Sequence, residues 1–524
     1  MEIPYTLTNV AETVVAPINA DATLSTGGAG NALIFAGVVI SQKGKPFEPI
    51  HISKDNYSAL LGKPYHPSKG QIAEPMRHVA EAVPGGTGIV VRVVPDTAKF
   101  PLIRIKSGEG NVFTAEADAL PYSTALTLDE GANEVMAIYV DDGAIAANRA
   151  VEIAVADAEM FGANMLQLVV TETDSAGNDA QIEKFIVSMD PEATDDMGMP
   201  AYIETVLESQ SKTIRALVSP TCPHTLGAIA KTTFVGGTEG DLSTLTTENY
   251  AKAIAVLNAS VIGYTNVLGL GCYDVPTIKA LIDICNRRRI GGFFDVDPRL
   301  SYAAACTAKN DMAIADHRAC FYHMPFDCID PTYRCRAVWG LSGVAFRAKA
   351  AGVALTAPYG GYHYTPAGET RAIISRTGLR QLRTAGVPDY QQMYRSRINK
   401  LASNRAGFLF IDDSLTACPK ENYLRFEQIV SVADSISREF VQLSNALKHE
   451  PDGVTYEGLV KGMTTILDGY VSMNALVPPT DPTDGKEPYK LIVEKMDKDA
   501  WRIRWAISVT GSGRRFFGEP ILLK

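Results

Sequence analysis

The sequence predicts a multidomain protein of mixed α/β and α+β class: a doubly wound α/β middle, a mostly-β insertion and extended arms at both ends. Three observations lead there. The chain has 524 residues, more than one ordinary core accommodates. Strand-like and helix-like segments alternate on both sides of a central stretch, the pattern of a parallel sheet covered by helices. Within that stretch, Glu109–Glu208 holds 21 acidic residues against two basic ones, Arg149 and Lys184. It carries −19 in a chain of net charge −10, a compositional step expected of a separate, solvent-facing domain.

Residues 1–22 read as an arm. Ile3, Tyr5 and Leu7 alternate with Pro4, Thr6 and Thr8, Val14 follows, and Pro17 interrupts. The link "STGGAGN" leads into "ALIFAGVVIS", a buried strand by its length and composition. "FEPIHIS" is a second strand, and "KDNYSALLG" a short helix closed by Gly62. In "SKGQIAEPMRHVAEAVPGG", Ile72, Met76, Val79 and Val83 recur at helical spacing. Ser68 and Gln71 form a capping box there, and Pro75 predicts a late start or a kink. "GIVVRVV" is another buried strand, ending a unit of residues 23–98.

The acidic insertion, assigned to 99–198, contains four strand candidates: "EVMAIYVDD", "VEIAVAD", "NMLQLVVTETD" and "QIEKFIVSMD". The α/β rhythm then returns over 199–383. "AYIETVLESQS" reads as a helix and "TIRALVS" as a strand. A helix bearing Tyr250, Ile254 and Leu257 precedes the strand "TNVLGLG". A helix bearing Ile278, Leu281, Ile282 and Cys285 precedes the strand "GGFFDVD". Helices dominate the C-terminal unit, 384–510. The longest, near Phe426–Leu447, repeats apolar residues at helical spacing. It ends in a strand that alternates without exception, with Trp501, Ile503, Trp505, Ile507 and Val509 on one face. The last segment, 511–524, is a Gly-Ser-Gly hinge, two arginines, and an apolar run with Phe516, Phe517, Ile521 and Leu523. Such a tail is expected to bind something.

The composition limits the function classes. The longest apolar run, Ala32–Ile40, is nine residues, against the roughly 20 that span a bilayer. No membrane partner is expected, and "MEIPYTLTN" lacks the basic start of a signal peptide. Net charge −10 argues against nucleic acid. Eight cysteines imply no disulfide framework. No nucleophile elbow, Walker A loop, dinucleotide fingerprint or His-Glu-x-x-His motif occurs, so no cofactor is expected. Asp295 and Asp297 end a strand in the α/β unit, where ligands often bind. His317, Cys320, His323, Cys328 and Cys335 lie close together but fit zinc spacing only in part, so no metal is expected. Arg371, Arg376, Arg380, Arg383, Arg395, Arg397, Lys400 and Arg405 face one acid, Asp389. An acidic protein partner or a plain solvated face accounts for that stretch better than nucleic acid.

In their order, these segments resemble the contractile-tail sheath proteins of bacteriophages, a family shared with pyocin and type VI secretion sheaths. "ALIFAGVVISQKGKPFEPIHISKDNYSALLG", "EPMRHVAEAVPGGTGIVVRVV", "PAYIETVLESQSKTIRALV" and "FVGGTEG" before "ENYAKAIAVLN" carry the resemblance, with an insertion between Val94 and Met199. "AFRAKAAGVALTAPYGG" departs from the family's usual letters. The resemblance implies a structural subunit and no enzyme. It implies stacking as hexameric rings around a tail tube, and contraction that drives the tube through the host envelope. It implies a subtilisin-like middle domain, a sheath core built from 23–98 and 384–510, and an insertion on the outer surface.

Arms 1–22 and 511–524 would add strands to neighbouring subunits through Ile3, Tyr5, Leu7, Val14, Phe516, Phe517, Ile521 and Leu523, with the strand of Trp501 in the home sheet. Arg395, Arg397 and Lys400 are the expected tube contacts. Partners would be further copies, the tube, baseplate and tail terminator proteins; the place is the virion tail, assembled in the bacterial cytoplasm. The rival readings are a cytoplasmic α/β enzyme with its site near Asp295 and Asp297, or another oligomeric tail component.

Overall fold

The computed structural model describes residues 33–108, 112–162, 164–174, 176–195, 197–356 and 361–514. The arm residues Ile3, Tyr5, Leu7 and Val14 and the tail residues Phe516, Phe517, Ile521 and Leu523 lie outside the described residues.

The body is built on a seven-stranded sheet. Its strands are β1 (Leu33–Val39), β2 (Pro49–Ile52), β3 (Gly86–Arg92), β12 (Asn266–Leu268), β13 (Gly291–Asp295), β14 (Ala319–Tyr322) and β18 (Ile398–Asn399). Their order is β18-β14-β13-β12-β1-β3-β2, parallel except for β2. The inner strands, such as β1 and β13, read as apolar runs because both faces are covered. Leu33, Phe35 and Val39 of β1 face one core, and Ala36 and Val38 face the other. Helices α2 (Pro75–Ala82) and α8 (Ser342–Val353) cover the first face. Helices α5 (Thr247–Ala259), α6 (Val275–Arg288) and α7 (Tyr302–Asp311) cover the second.

Caps set the helix ends. Thr246 and Asn249 close a capping box on α5, and Asp274 caps α6. Helix α2 starts late, at Pro75, after a kinked 3-10 turn, Pro67–Ala73. His66 caps that turn, in place of the expected Ser68–Gln71 box. The turn into β3 needs glycine, because a Cβ on Gly86 would sit 2.1 Å from the Leu33 carbonyl oxygen.

Two assignments need correction. Residues 33–92 do not join the C-terminal helices in a separate core. β1 and β3 lie inside the body sheet, because their fully apolar faces need helices on both sides. The insertion is also longer than 99–198. It holds two four-stranded sheets. The first is β10-β6-β4-β5, from β4 (Lys99–Ser107), β5 (Phe113–Pro121), β6 (Glu134–Val140) and β10 (Ile214–Val218). The second is β11-β7-β8-β9, from β7 (Arg149–Val155), β8 (Met165–Thr173), β9 (Asp179–Ser188) and β11 (Ile229–Thr233). Helix α4 (Ile203–Gln210) packs into their shared core with Ile103, Met136, Ile138, Val151, Leu168 and Val187. "AYIETVLESQS" and "TIRALVS" thus form the expected helix and strand, but inside the insertion. With these bounds the insertion, residues 99–238, carries 21 acidic and eight basic residues, net −13, and the rest of the chain +3.

The insertion leaves the body at Lys99 and returns at Thr238, whose backbones exchange hydrogen bonds of 2.9 and 3.0 Å. Arg92, at the end of β3, is 1% exposed and donates to the carbonyls of Gly44 (2.9 Å) in the body and Gly143 (2.6 Å) in the insertion.

Smaller elements flank the body: α1 (Tyr57–Leu61), α9 (Tyr390–Arg395), strands β15 (Phe326–Ile329), β16 (Arg336–Ala337) and β17 (Arg380–Gln381), and the hairpin β19–β20 (Leu401–Ser403, Leu409–Ile411). Helix α3 (Ala158–Phe161) is a single turn in the insertion. The C-terminal module follows: α10 (Glu427–Ala446), α11 (Asp452–Ser472) and the hairpin β21–β22 (Tyr489–Lys495, Trp501–Ile507). Its core joins Val432, Ile436, Met463, Leu467 and Tyr470 to the inner face of the hairpin, including Ile503, Trp505 and Ile507. No helix of the described residues is long and apolar enough to cross a membrane.

Candidate functional site

In a doubly wound fold, ligands bind outside the carboxyl ends of the strands. Here the protein's own side chains occupy that place. Asp295 ends β13 and is 1% exposed. Its carboxylate accepts from the backbone N–H groups of Leu341 (2.5 Å) and Ser342 (3.0 Å), capping α8. Ser342 Oγ lies 2.9 Å from His78 Nδ1, and His78 Nε2 lies 3.9 Å from Glu74 Oε2. Tyr273 and Arg299 close over Glu74, and Arg299 also pairs with Asp297 at 3.0 Å.

A serine, an imidazole and carboxylates are the parts of a nucleophile–base–acid relay. Their geometry does not allow one to work. Glu74 stands beyond hydrogen-bond reach of His78, and Ser342 is 0% exposed. Glycines bring the backbone hard against the cluster. A Cβ on Gly340 would fall 2.3 Å from Asp295 Cγ, and one on Gly343 would fall 2.3 Å from the His78 carbonyl oxygen. The backbone is thus packed closely around Asp295 and His78. The enzyme reading, which needs Asp295 and Asp297 open to a substrate, loses its site: one is a helix cap, the other an ion-pair partner.

Beside this cluster, Arg376 pairs with Glu81 at 2.8 Å and stacks 4.2 Å from the Trp339 ring centre. Burial alone would raise the Glu81 carboxyl, but the Arg376 guanidinium outweighs it and holds the pKa below the ordinary value. A recess of about 180 Å³ opens nearby, lined by Arg77, Arg299, Arg336 and Asp327. Each arginine already pairs with a carboxylate: Arg77 with Asp330 (2.8 Å), Arg299 with Glu74 and Asp297, and Arg336 with Asp327 (2.9 Å). The recess is therefore balanced in charge.

The His–Cys group is dispersed. Cys320 is on β14, Cys328 packs with Ala337 and Trp339, and Cys335 lies 3.8 Å from His66 Nε2. Among the described residues, no three His, Cys, Asp or Glu side chains are placed to hold a metal ion. His323 is 1% exposed and edge-on to Tyr302. Burial lowers its pKa to about 4.

The basic stretch also separates once folded. Arg376 is buried as described. Arg397 is 5% exposed, donates to the Cys418 carbonyl (2.9 Å) and pairs with Glu421. It is therefore removed from the tube-contact set: turned inward, it offers no free charge to a partner. Lys400 pairs with Asp412 at 2.6 Å, and Arg380 with Asp327 at 2.6 Å. Arg383, Arg395 and Arg405 are exposed and, among the described residues, in no ion pair.

At the C-terminus, Trp501, Ile503, Trp505 and Ile507 lie on the half-buried face of β22, and Val509 bridges to Leu476. Among the described residues Trp501–Ile507 and Tyr489–Lys495 pair only with each other and each keeps one free edge, while residues 508–510 beyond β22 bond to 475–477. The chain then turns back. Arg514 clasps Asp413 with two bonds, 2.6 and 2.8 Å, and Gln428 donates to Ser512 at 3.2 Å. The root of the tail is pinned where body and module meet.

The fold has relatives of known structure. The sheath tail protein of Listeria innocua matches 93% of this chain with 94% of its own, at TM-score 0.55 and 12% identity. The chain has the fold of a sheath tail protein. The sheath tail protein of Desulfitobacterium hafniense matches 93% of the chain with 98% of its own, at TM-score 0.47 and 10% identity. A protein of the contracted anti-feeding prophage baseplate matches 100% and 99%, at TM-score 0.48 and 11% identity. No family model matches the sequence, and no curated protein does. In this sheath fold the charged contacts between body and module, Lys349–Glu427 and Arg318–Asp434, went unnoticed in the sequence. A signal was available: Lys349 stands alone in the small, apolar run "AKAAGVAL".

Proposed function

We propose that the chain is the structural subunit of a contractile sheath. It polymerises as stacked hexameric rings around a tail tube and contracts to drive the tube through an envelope. The observation that carries this reading is the fold match to a sheath tail protein over nearly the whole of both chains. The burial of Asp295, Ser342 and His78 at the strand end, each with partners from the chain itself, favours it over the enzyme. The free edges of β21–β22 and the pinned tail root favour strand donation, in which Phe516, Phe517, Ile521 and Leu523 join one neighbour and Ile3, Tyr5, Leu7 and Val14 another. A head-to-tail contact of this kind that does not close gives helical polymers. The tube contact rests on Arg395 and, with its Asp412 pair opened, Lys400. The insertion faces outward. Tube, baseplate and terminator proteins are the partners, and the virion tail is the location.

Electron microscopy and sedimentation of the purified chain test the reading. Tubes or rings are expected from the full chain, and folded monomers from chains lacking residues 1–20 or 511–524. Full-length tubes from the C-terminal truncation would remove strand donation by the tail. Uniform small particles from the full chain would remove the sheath reading. Replacing 99–238 by a short Gly-Ser link between the adjacent Lys99 and Thr238 positions should leave tubes intact; loss of tubes with a folded body would place the insertion inside the lattice.

A further inference from the structure

Helix α10 has two buried faces of opposite character. Val432 and Ile436 face the module's own core. Glu427, Asp434 and Arg438 recur at intervals of seven and four, which puts them on one stripe facing the body. Glu427, 5% exposed, pairs with Lys349 of α8 at 3.0 Å, and Lys349 also donates to the carbonyls of Tyr362 (2.7 Å) and Tyr364 (3.0 Å). Asp434 takes two bonds from Arg318, 2.6 and 2.7 Å. Arg438 donates to the Arg289 carbonyl at 2.8 Å and lies over the Tyr362 ring.

Apolar packing across this seam is sparse: Tyr362 packs against both the module's core and one of the body's, and Val430 is buried on the same stripe as Glu427 and Asp434. The module's core is a separate cluster drawn from residues 432–509, and Tyr362 is the single body residue packed against it among those described. The body's two cores contain no residue of α10 or α11. One covalent link, 412–426, enters the module. Buried ion pairs fix orientation but contribute little net stability, since desolvation opposes the Coulomb gain. Burial works against both partners here, lowering the Lys349 ammonium and raising the Glu427 carboxyl. Water would restore what each charge lost.

We infer that residues 427–514 undock from the body as one rigid piece, released at a latch of charged contacts made by Glu427, Asp434 and Arg438. The hairpin and α11 travel with α10, because the apolar core holding them together lies on the moving side apart from its contact with Tyr362. The Arg514–Asp413 clasp spans the same seam, so a pull on the tail reaches the latch directly.

Electron spin distance measurements on the full chain test this, with Cys335→Ser to remove the half-buried thiol. One label pair spans the seam at exposed positions, Asp311→Cys and Lys490→Cys. A second lies within the module, at Lys461→Cys and Arg502→Cys. Asp434→Asn and Glu427→Gln should each add a second, longer distance to the spanning pair and leave the module pair sharp. The exchange Arg318→Asp with Asp434→Arg should return most of that population to the short distance. The inference is overturned if the module pair broadens together with the spanning pair, or if the spanning pair stays single in both variants. It is also overturned if the neutral variants fail to fold while the exchanged pair shows no recovery. Polymerisation enters none of these readings.

Discussion

The insertion and the C-terminal module both hang from the same body, one chiefly by backbone bonds and the other chiefly by side-chain charges. The insertion is crossed by the chain twice, and the two crossings are hydrogen-bonded to each other. At its root Arg92 is buried among carbonyls and, among the described residues, in no ion pair; one partly exposed pair, Lys45–Asp141 at 3.0 Å, also joins body and insertion. The module is crossed once, and side-chain charges hold it. Backbone bonds in a paired crossing cannot be exchanged for water without unfolding the strands that carry them. Side-chain ion pairs can. The two appendages are thus expected to differ in which one separates first.

The largest expected effect is at the latch. Glu427→Ala leaves Lys349 buried and unpaired and should cost about 3–5 kcal/mol, while Lys349→Met with Glu427→Met should be near neutral. Chemical denaturation of single and double variants measures both; equal losses in the two would mean that the pair is not the element at stake. Next is acid. A folded pKa near 4 against 6.5 unfolded means that the unfolded chain binds the His323 proton first. Stability from this group is fully present above pH 6.5 and is lost as pH falls toward 4, about 3 kcal/mol in all. His323→Leu should flatten that fall. His224, 63% exposed at its side chain, is the insertion's one histidine, so the body should loosen first, read by hydrogen exchange of each part.

Third, Arg92→Lys cannot reach both Gly44 and Gly143 as a fork and should cost about 1–3 kcal/mol. Cleavage by protease between Arg92 and Lys99 should speed up while the module is unaffected. If the module loosens instead, the two attachments are coupled and the contrast fails. The smallest effect is at the exposed Lys106–Glu116 pair on the insertion's first sheet, where Lys106→Ala should move the midpoint by less than about 1 kcal/mol.

Much of this was legible in the sequence, for reasons that separate cleanly. β1, β3, β12 and β13 announce themselves because a strand covered on both faces is an apolar run, and β22 because one covered face makes strict alternation. The end of the insertion was not legible. Helix α4 and β10 have the local pattern of an α/β unit, and only the distant partner β6 says which sheet takes the strand. The basic stretch misled for a related reason: linear density does not say which way a side chain turns, and Arg376 and Arg397 turn inward. Asp295 was picked out correctly as standing at the carboxyl edge, but the Ser342 amide that occupies it comes from 47 residues further on.

The central place of β1 has a consequence for synthesis. β3 follows it closely and pairs with it in parallel from Leu33 opposite Gly86. Its other edge belongs to β12. Roughly 170 residues separate β3 from β12, so at about 5–20 residues per second the ribosome needs some 10–35 s to deliver the missing neighbour. Through that interval, most of it spent making the insertion, the nascent chain keeps a wholly apolar strand edge unpaired, the kind that recruits wrong partners. Slow codons confined to the coding sequence for residues 100–260 should therefore lower the soluble yield without changing a single side chain.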